Sequence, residues 1–321
     1  MLYRKLGKTD LSVSEIGYGT WGLGGDSYGS VDDNMSIKAL RLAFDQGCNF
    51  FDTSDLYGDG HSEDILSKSL NSMRKDILIT TKFGMLPHTG FQMKQDFSNS
   101  HIQEALEKSL SRLRTDYVDL YLFHSPSRDQ LKDSDRIFSF LRKMESEGKI
   151  RSLGLSARSP EDALFAINTL DINVIEINFN MIDQRAIELD LLKIAKERGV
   201  GIIARTPLSF GYLSGNLTGE EIFPKNDHRS NWPIAQRQTW AKAPGLFKKL
   251  NTGKPRSLVQ LALLFCISYD EISTVIPGML NDQEVMENMK VSLMDKLSSD
   301  ELEMIRSIYE NNNFYDPQSK K

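Results

Sequence analysis

Apolar residues return along this chain in two alternating rhythms. Short dense runs such as Asn49-Phe50-Phe51-Asp52, Ile77-Leu78-Ile79-Thr80-Thr81-Lys82 and Val118 to His124 read as buried strands. Between them lie longer stretches with helical spacing. Asp32 to Gln46 places Ile37, Leu40, Ala43 and Phe44 on one face, and Gly47 closes it. Ser98 to Arg114 does the same with Ile102, Leu106, Leu110 and Leu113.

The alternation runs the length of the chain. Leu2 to Val13 reads as a small hairpin about a Gly7-Lys8-Thr9-Asp10 turn, and Ser14 to Trp21 as a first strand ending in glycines. The strand ending at Asp52 precedes a helix over about Ser62 to Leu70, the strand to Lys82 precedes Ser98 to Arg114, and the strand to His124 precedes Asp135 to Glu147, stopped by Gly148. Ile150 to Ser156 leads into a helix capped by Ser159 with Pro160 at its first position. Asn173 to Asn178 precedes Leu189 to Arg198, Gly201 to Ala204 is the seventh strand, and Ile272 to Ile276 the eighth. Helices follow at Leu258 to Ile267, Val285 to Met289 and Ser299 to Asn311, and Pro317 to Lys321 reads as a frayed end. Eight such units predict a parallel sheet closed as a (β/α)8 barrel, one domain over residues 1–321 with an N-terminal hairpin and a C-terminal extra helix. An open doubly wound sheet is the runner-up, weakened because no Gly-x-Gly-x-x-Gly leads from the first strand straight into a helix: Gly17-Tyr18-Gly19-Thr20-Trp21-Gly22 has the spacing, but helical periodicity begins only at Asp32. The connection 207–255 is too long for an ordinary loop and predicts a lid over a ligand.

Bulk properties narrow the function classes. With 321 residues and 40% apolar content the chain can bury a large core. A formal net charge of −5 gives no electrostatic footing for nucleic acid. The two cysteines, Cys48 and Cys266, lie far apart in apolar surroundings and read as buried free thiols, as in a reducing cytoplasm. No signal pattern opens the chain and no apolar run is long enough to span a bilayer, so the expectation is a cytoplasmic protein without a membrane partner. The five histidines are scattered and no metal-binding spacing occurs, so no metal is expected. The Gly-x-Ser-x-Gly spacing of Gly25-Asp26-Ser27-Tyr28-Gly29 falls within a loop and not at a strand-to-helix elbow, so nucleophilic hydrolysis is weakly supported.

Chemistry gathers at the strand ends. Asp52 ends one strand and Tyr57 stands in the loop after it; Lys82 and His124 end the next two. Barrel enzymes build their sites at that end. A phenol is a poor acid near neutrality, and a neighbouring ammonium lowers its pKa. Lys82 can supply that ammonium, Asp52 can anchor Lys82, and His124 can bond a carbonyl oxygen. Such a group suits protonation of an oxygen on which charge develops as hydride adds to a carbonyl. No side chain is a hydride source, so a nicotinamide cofactor is required. Each residue alone has a bland reading as a cap, a solvated strand end, a turn or a packing ring; four on consecutive units do not.

These segments resemble the aldo-keto reductase family over nearly the whole chain. Gly17-Tyr18-Gly19-Thr20-Trp21 is similar to its first-strand segment, and Asp52-Thr53-Ser54-Asp55-Leu56-Tyr57-Gly58 to its Asp-Thr-Ala-x-x-Tyr-Gly block. Thr81-Lys82 and Leu122-Phe123-His124 match its lysine and histidine segments. The resemblance implies NAD(P)H-dependent reduction of an aldehyde or ketone, with Tyr57, Lys82, Asp52 and His124 as catalytic residues and Tyr57 as general acid. It places Trp21, Tyr57 and His124 in the substrate pocket. For the cofactor it implies Gly19, Thr20, Trp21 and Asp52 from the early strands, then Ser156, with Ala157 in place of an asparagine. Glu176 stands where glutamine is usual, and Arg205 where an aromatic often stacks on the nicotinamide. Pro207, Leu208, Gly211, Leu213, Ser214 and Gly215 match the pyrophosphate loop, with Phe210 beside them. Gly278, Leu280, Glu284, Glu287 and Asn288 match the adenine end.

Family habit favours NADP(H). Leu280 replaces a basic residue that reads the 2′-phosphate, and Glu284 would repel that phosphate, so NAD(H) is also possible; Arg229 is a candidate to restore phosphate binding. A nucleotide-binding regulatory subunit of the channel β type is the contrasting class, and a lyase or epimerase using cofactor transiently a third. Retention of His124 with the other three favours the enzyme. The loops 24–31, 85–96 and 207–255 set the substrate, with Trp21, Tyr28, Phe91, Phe210 and Trp232 as candidate pocket residues. The polar first loop, Gly24-Gly25-Asp26-Ser27-Tyr28, favours a hydroxylated, sugar-like carbonyl. Oligomeric state is not legible.

Overall fold

The computed structural model describes residues 1–88, 90, 92–132 and 134–315. Phe91 and the terminal stretch 317–321 therefore lie outside the described residues. Eight parallel strands run in the order expected: Tyr18–Gly19, Phe50–Asp52, Leu78–Phe83, Leu120–His124, Leu153–Ser156, Val174–Asn178, Gly201–Arg205 and Ile272–Val275. Each pairs with its sequence neighbour, and parallel bridges from Ile16 to Val275 and from Gly19 to Gly278 join the first strand to the last. The sheet is thus a (β/α)8 barrel. Closure is tight at Gly19, where a Cβ would come 2.8 Å from the Ile276 carbonyl oxygen.

Strand parity sorts the side chains. Successive residues point to opposite faces, and Phe50, Leu120, Leu122, Val174 and Ile203 form one buried cluster inside the barrel. Leu6, Leu11 and Val13 join it from the N-terminal hairpin, Tyr3–Lys5 paired with Ser12–Ser14, which plugs that end. Alternate residues such as Phe51, Tyr121, Phe123, Ile175 and Ile202 face the helical layer. Two residues beyond the inner apolar layer, the same parity brings Asp52, His124, Glu176 and Arg205 inward at the opposite end.

The helices begin where the caps predict. The side chains of Asp32, Ser98, Ser159, Ser257 and Ser298 accept first-turn amides, and Ser257 and Ser298 form capping boxes. Three features were not foreseen. The first barrel strand is only Tyr18–Gly19, because Ser12–Ser14 pair in the hairpin, Ile16 makes only an isolated bridge to Val275, and Trp21–Gly24 turns as a short 3-10 helix. Met85–Leu86 and Lys94–Gln95 form a small antiparallel pair above the third strand. The connection 207–255 also contains a helix, Ile234–Phe247. Its buried face carries Gln236 and Arg237 with Trp240 and Phe247, and Pro244 lies inside it, so its apolar period is broken. Gln236 donates to the Phe314 carbonyl (2.9 Å) and Arg237 to that of Glu221 (2.8 Å), which lets this polar pair be buried.

Cys48 and Cys266 are free and buried. Among the described residues no helix is long and apolar enough to cross a membrane.

Candidate active site

Lys82 is fully buried at the centre of the polar end. Its Nζ donates to Asp52 Oδ1 at 2.6 Å, to the Thr53 carbonyl at 3.0 Å and to the Tyr57 hydroxyl at 3.3 Å. Glu176 Oε2 lies 3.5 Å away. Ser156, in register with both His124 and Glu176, donates to Glu176 Oε1 at 2.9 Å. His124 packs edge-on to Tyr57, ring centroids 6.1 Å apart, and its Nδ1 lies 3.2 Å from Ser54 Oγ.

Burial and neighbouring charge set the protonation states. Burial opposes the Lys82 charge, yet Asp52 and Glu176 hold its pKa above the ordinary value. Burial, then Lys82 and Arg205, push His124 well below its usual range, so it is a neutral imidazole. Burial and the Glu176 carboxylate raise Asp52; Lys82 and Arg205 hold Glu176 below the usual range against its own burial. The Tyr57 phenol departs from expectation. Lys82 does pull it down, but burial, aided by Asp52 and Glu176, outweighs that pull and the net shift is upward.

These groups line a cavity of about 350 Å3. Of the expected residues, Gly19, Trp21, Asp52, Tyr57, His124, Ser156, Glu176 and Arg205 meet there from the strand ends. Pro207, Leu208, Gly211 and Ser214 join from the long connection, and Gly278, Leu280, Glu284, Glu287 and Asn288 from the last unit. Four do not line it. Lys82 stands behind Tyr57, Thr20 donates its hydroxyl to the Asp52 carbonyl (2.9 Å), Leu213 belongs to the core, and Gly215 supplies a positive-φ turn (+79°). Ser125, Thr206, Asn216 and Val259 also line it, beside the motif residues but outside them.

Supports behind the site were invisible in sequence. Gln95 donates to the carbonyls of His124 (3.0 Å) and Ser125 (2.7 Å), and Arg158 clamps Gln95 Oε1 (2.7 Å) and the Ser125 carbonyl (2.6 Å). Both lie in stretches without periodicity.

One wall is aromatic. Trp21 stacks near Tyr57 (6.3 Å), Tyr28 (5.2 Å) and His228 (4.5 Å), and Phe210 meets His228 at 5.0 Å. Trp232 packs behind Phe210 instead of lining the cavity. The polarity of the first loop is consumed internally: Asp26 accepts from Ser27 (2.8 Å) and from the Gly58 amide (3.2 Å). The long connection is tied to that loop by a Tyr28–Asp227 bridge and a bond from the His228 amide to the Ser27 carbonyl (2.8 Å). Arg229 is held by Asp227 (2.6 Å) and lies beside Gly211, so its charge is already answered.

The profile described as "Aldo/keto reductase family" matches residues 15–310. The chain belongs to the aldo-keto reductase family. L-Galactose dehydrogenase of Arabidopsis thaliana is 32% identical over 311 residues, 93% of this chain and 90% of that one. A probable voltage-gated potassium channel subunit beta of Oryza sativa subsp. japonica is 29% identical over 309 residues, 90% of each chain. The solved structure of a glycerol dehydrogenase from Gluconobacter oxydans superposes with a TM-score of 0.80 at 28% identity, covering 98% of both chains. Aldo-keto reductases are oxidoreductases acting on carbonyls, and they use nicotinamide cofactors.

The cavity fits such a cofactor. Buried polar atoms on its lining residues lack hydrogen-bond partners: Arg205 Nε near Lys82, and Asn288 Oδ1 at the last unit. Buried polar groups in native proteins are normally satisfied, and a ligand carrying amide and amine groups at its two ends would satisfy these. Where an asparagine amide is missing at Ala157, Arg205 Nη2 donates to the Ala157 carbonyl at 3.0 Å.

Proposed function

We propose that this protein reduces an aldehyde or ketone to the alcohol with NADPH or NADH, Tyr57 acting as general acid. The observation that carries the reading is the placement of Lys82 Nζ between Asp52 Oδ1 (2.6 Å) and the Tyr57 hydroxyl (3.3 Å) at the wall of the cavity. When bound, the nicotinamide supplies the hydride. Ser156, Glu176 and Arg205 would hold its carboxamide end, the Pro207–Gly215 segment its pyrophosphate, and Gly278, Leu280, Glu287 and Asn288 its adenosine.

The side chains then divide the work. Tyr57 gives its phenolic proton to the carbonyl oxygen. Lys82 stabilises the phenolate left behind, which offsets the upward pull of burial at the moment of transfer. Asp52 keeps Lys82 charged and aimed. His124, being neutral, orients the carbonyl oxygen by hydrogen bond without competing as an acid. The 207–255 connection, tied to the first loop at Tyr28 and Asp227, serves as the cover that excludes water.

The substrate is a small carbonyl compound. The polar first loop does not support a sugar-like one, since Asp26 is occupied; the ring face of Trp21 beside Tyr57 does, because a sugar's C–H face packs on it. The test is oxidation of NADPH or NADH with glyceraldehyde, methylglyoxal and benzaldehyde. Absence of turnover with all of them while either cofactor binds would favour a regulatory, cofactor-carrying role of the channel-subunit type over the enzyme.

A further inference from the structure

Beside the proposed tetrad lies a second chain of polar groups. Ser54 Oγ is 3.2 Å from His124 Nδ1 and donates to Asp55 Oδ1 at 3.0 Å, and it accepts the Leu56 amide at 3.2 Å. Ser54 is completely buried. It occupies the alanine position of the family block.

We propose that Asp55, acting through Ser54, sets the tautomer of His124 and thereby decides whether Nε2 offers a substrate carbonyl a proton or a lone pair. The catalytic consequence rests on the reductase reading above; the tautomer itself does not. A hydroxyl has one proton and two lone pairs. With Asp55 ionised, Ser54 gives its proton to the carboxylate, and its free lone pair faces Nδ1. A neutral imidazole then carries its proton on Nδ1, and Nε2 is bare. With Asp55 protonated, its O–H donates to Ser54, Ser54 donates to Nδ1, and the imidazole proton resides on Nε2. In both arrangements Ser54 makes one donated and two accepted bonds, the Leu56 amide being common to both. The two states differ by one proton. Loss of that proton at Nε2 is answered by transfer of the Ser54 proton to Nδ1 and of the Asp55 proton to Ser54.

The surroundings suit Asp55 to titrate. It is partly exposed and borders a small cavity of about 140 Å3 that shares no lining residue with the main one. Burial and Glu63 push its carboxyl up to about 7, against Ser54 and Arg112. Glu63 faces it from the helix His61–Leu70, itself held by Arg112 (2.6 Å) and Thr81 (2.6 Å). Arg112, His101, Glu104 and Lys108 line that cavity from the helix Asn99–Leu113, Asp59 from the same loop as Asp55, and the Tyr121 phenol lies nearby on the strand Leu120–His124. A carbonyl oxygen only accepts hydrogen bonds, so the Nε2-protonated form is the one that assists reduction.

The experiment is long-range 1H–15N correlation on the full chain labelled with 15N-histidine, with and without NADPH, over roughly pH 5–9. His124→Gln assigns the signal. The expected result is an Nε2-protonated ring at low pH and an Nδ1-protonated ring at high pH. Ser54→Ala should abolish the exchange, and Asp55→Asn, whose amide can donate to Ser54, should hold the Nε2 form throughout. In parallel, wild-type kcat/KM for reduction should fall about tenfold per pH unit above the transition, the slope of a single ionisation, and Asp55→Asn should be flat there. One tautomer at all pH in wild type, or an unchanged exchange in Ser54→Ala, overturns the proposal. A tautomer exchange in a protein that reduces no carbonyl would leave this inference standing and overturn the reductase reading instead.

Discussion

Glu176 places a second carboxylate 3.5 Å from Lys82 Nζ, in addition to Asp52 at 2.6 Å. Its negative charge raises the Tyr57 pKa, as does Asp52. Glu176→Gln removes that charge and keeps the shape. The phenolate then becomes easier to form, so the Tyr57 pKa falls. Reduction needs the protonated phenol, and activity is lost as pH rises through that pKa. With Asp55→Asn in the background to remove the His124 transition, the remaining alkaline limb of the kcat/KM profile should therefore move to lower pH when Glu176→Gln is added. An unmoved limb, or one moved upward, would show that Glu176 does not act on the phenol.

Tyr57→Phe should remove carbonyl reduction and spare cofactor binding. Phenylalanine keeps the ring against His124 and Trp21 and loses the proton donor bonded to Lys82. General acid catalysis is worth about 10²–10⁴-fold. Steady-state turnover together with a fluorescence titration of NADPH checks both halves; turnover within a few-fold of wild type would remove Tyr57 from its role.

Lys82→Met should slow turnover more than Asp52→Asn. Lysine touches the phenol directly, whereas aspartate acts through lysine, and Glu176 remains to pair with Lys82 when Asp52 is neutralised. The comparison is kcat for the two variants with one aldehyde. An order reversed beyond error would place the controlling charge on Asp52.

The adenosine end should discriminate weakly between NADPH and NADH. Leu280 carries no charge, and Glu284 accepts from the Leu280 amide at 2.7 Å, fixing a carboxylate at that end of the cavity. Arg229 is engaged with Asp227 near Gly211. A charge-assisted hydrogen bond contributes roughly 1.5–3 kcal/mol, about one to two decades in affinity. Leu280→Arg combined with Glu284→Gln should strengthen NADPH binding by that much relative to NADH. The ratio of dissociation constants measures it, and a wild-type preference for NADPH above about a thousandfold would mean that another cation reads the 2′-phosphate.

The linear chain alone determined the barrel and the identity of the central charged groups. Strand parity is local: the residue two beyond Phe50 is Asp52, and the residue two beyond Leu122 is His124, so both must enter the interior at one end. Helix caps are equally local, and Ser98 and Ser159 start helices where their positions predict. Other features depend on closure and stagger, which bring together residues distant in sequence. Glu176 meets Lys82 across the barrel, Arg158 reaches back to Gln95 and Ser125, and Ser54 joins His124 to Asp55. The protonation states belong to the same class. Ammonium and phenol could be paired from the sequence, but the sign of the net shift at Tyr57 could not, because burial outweighs Lys82 only once the folded walls exclude water.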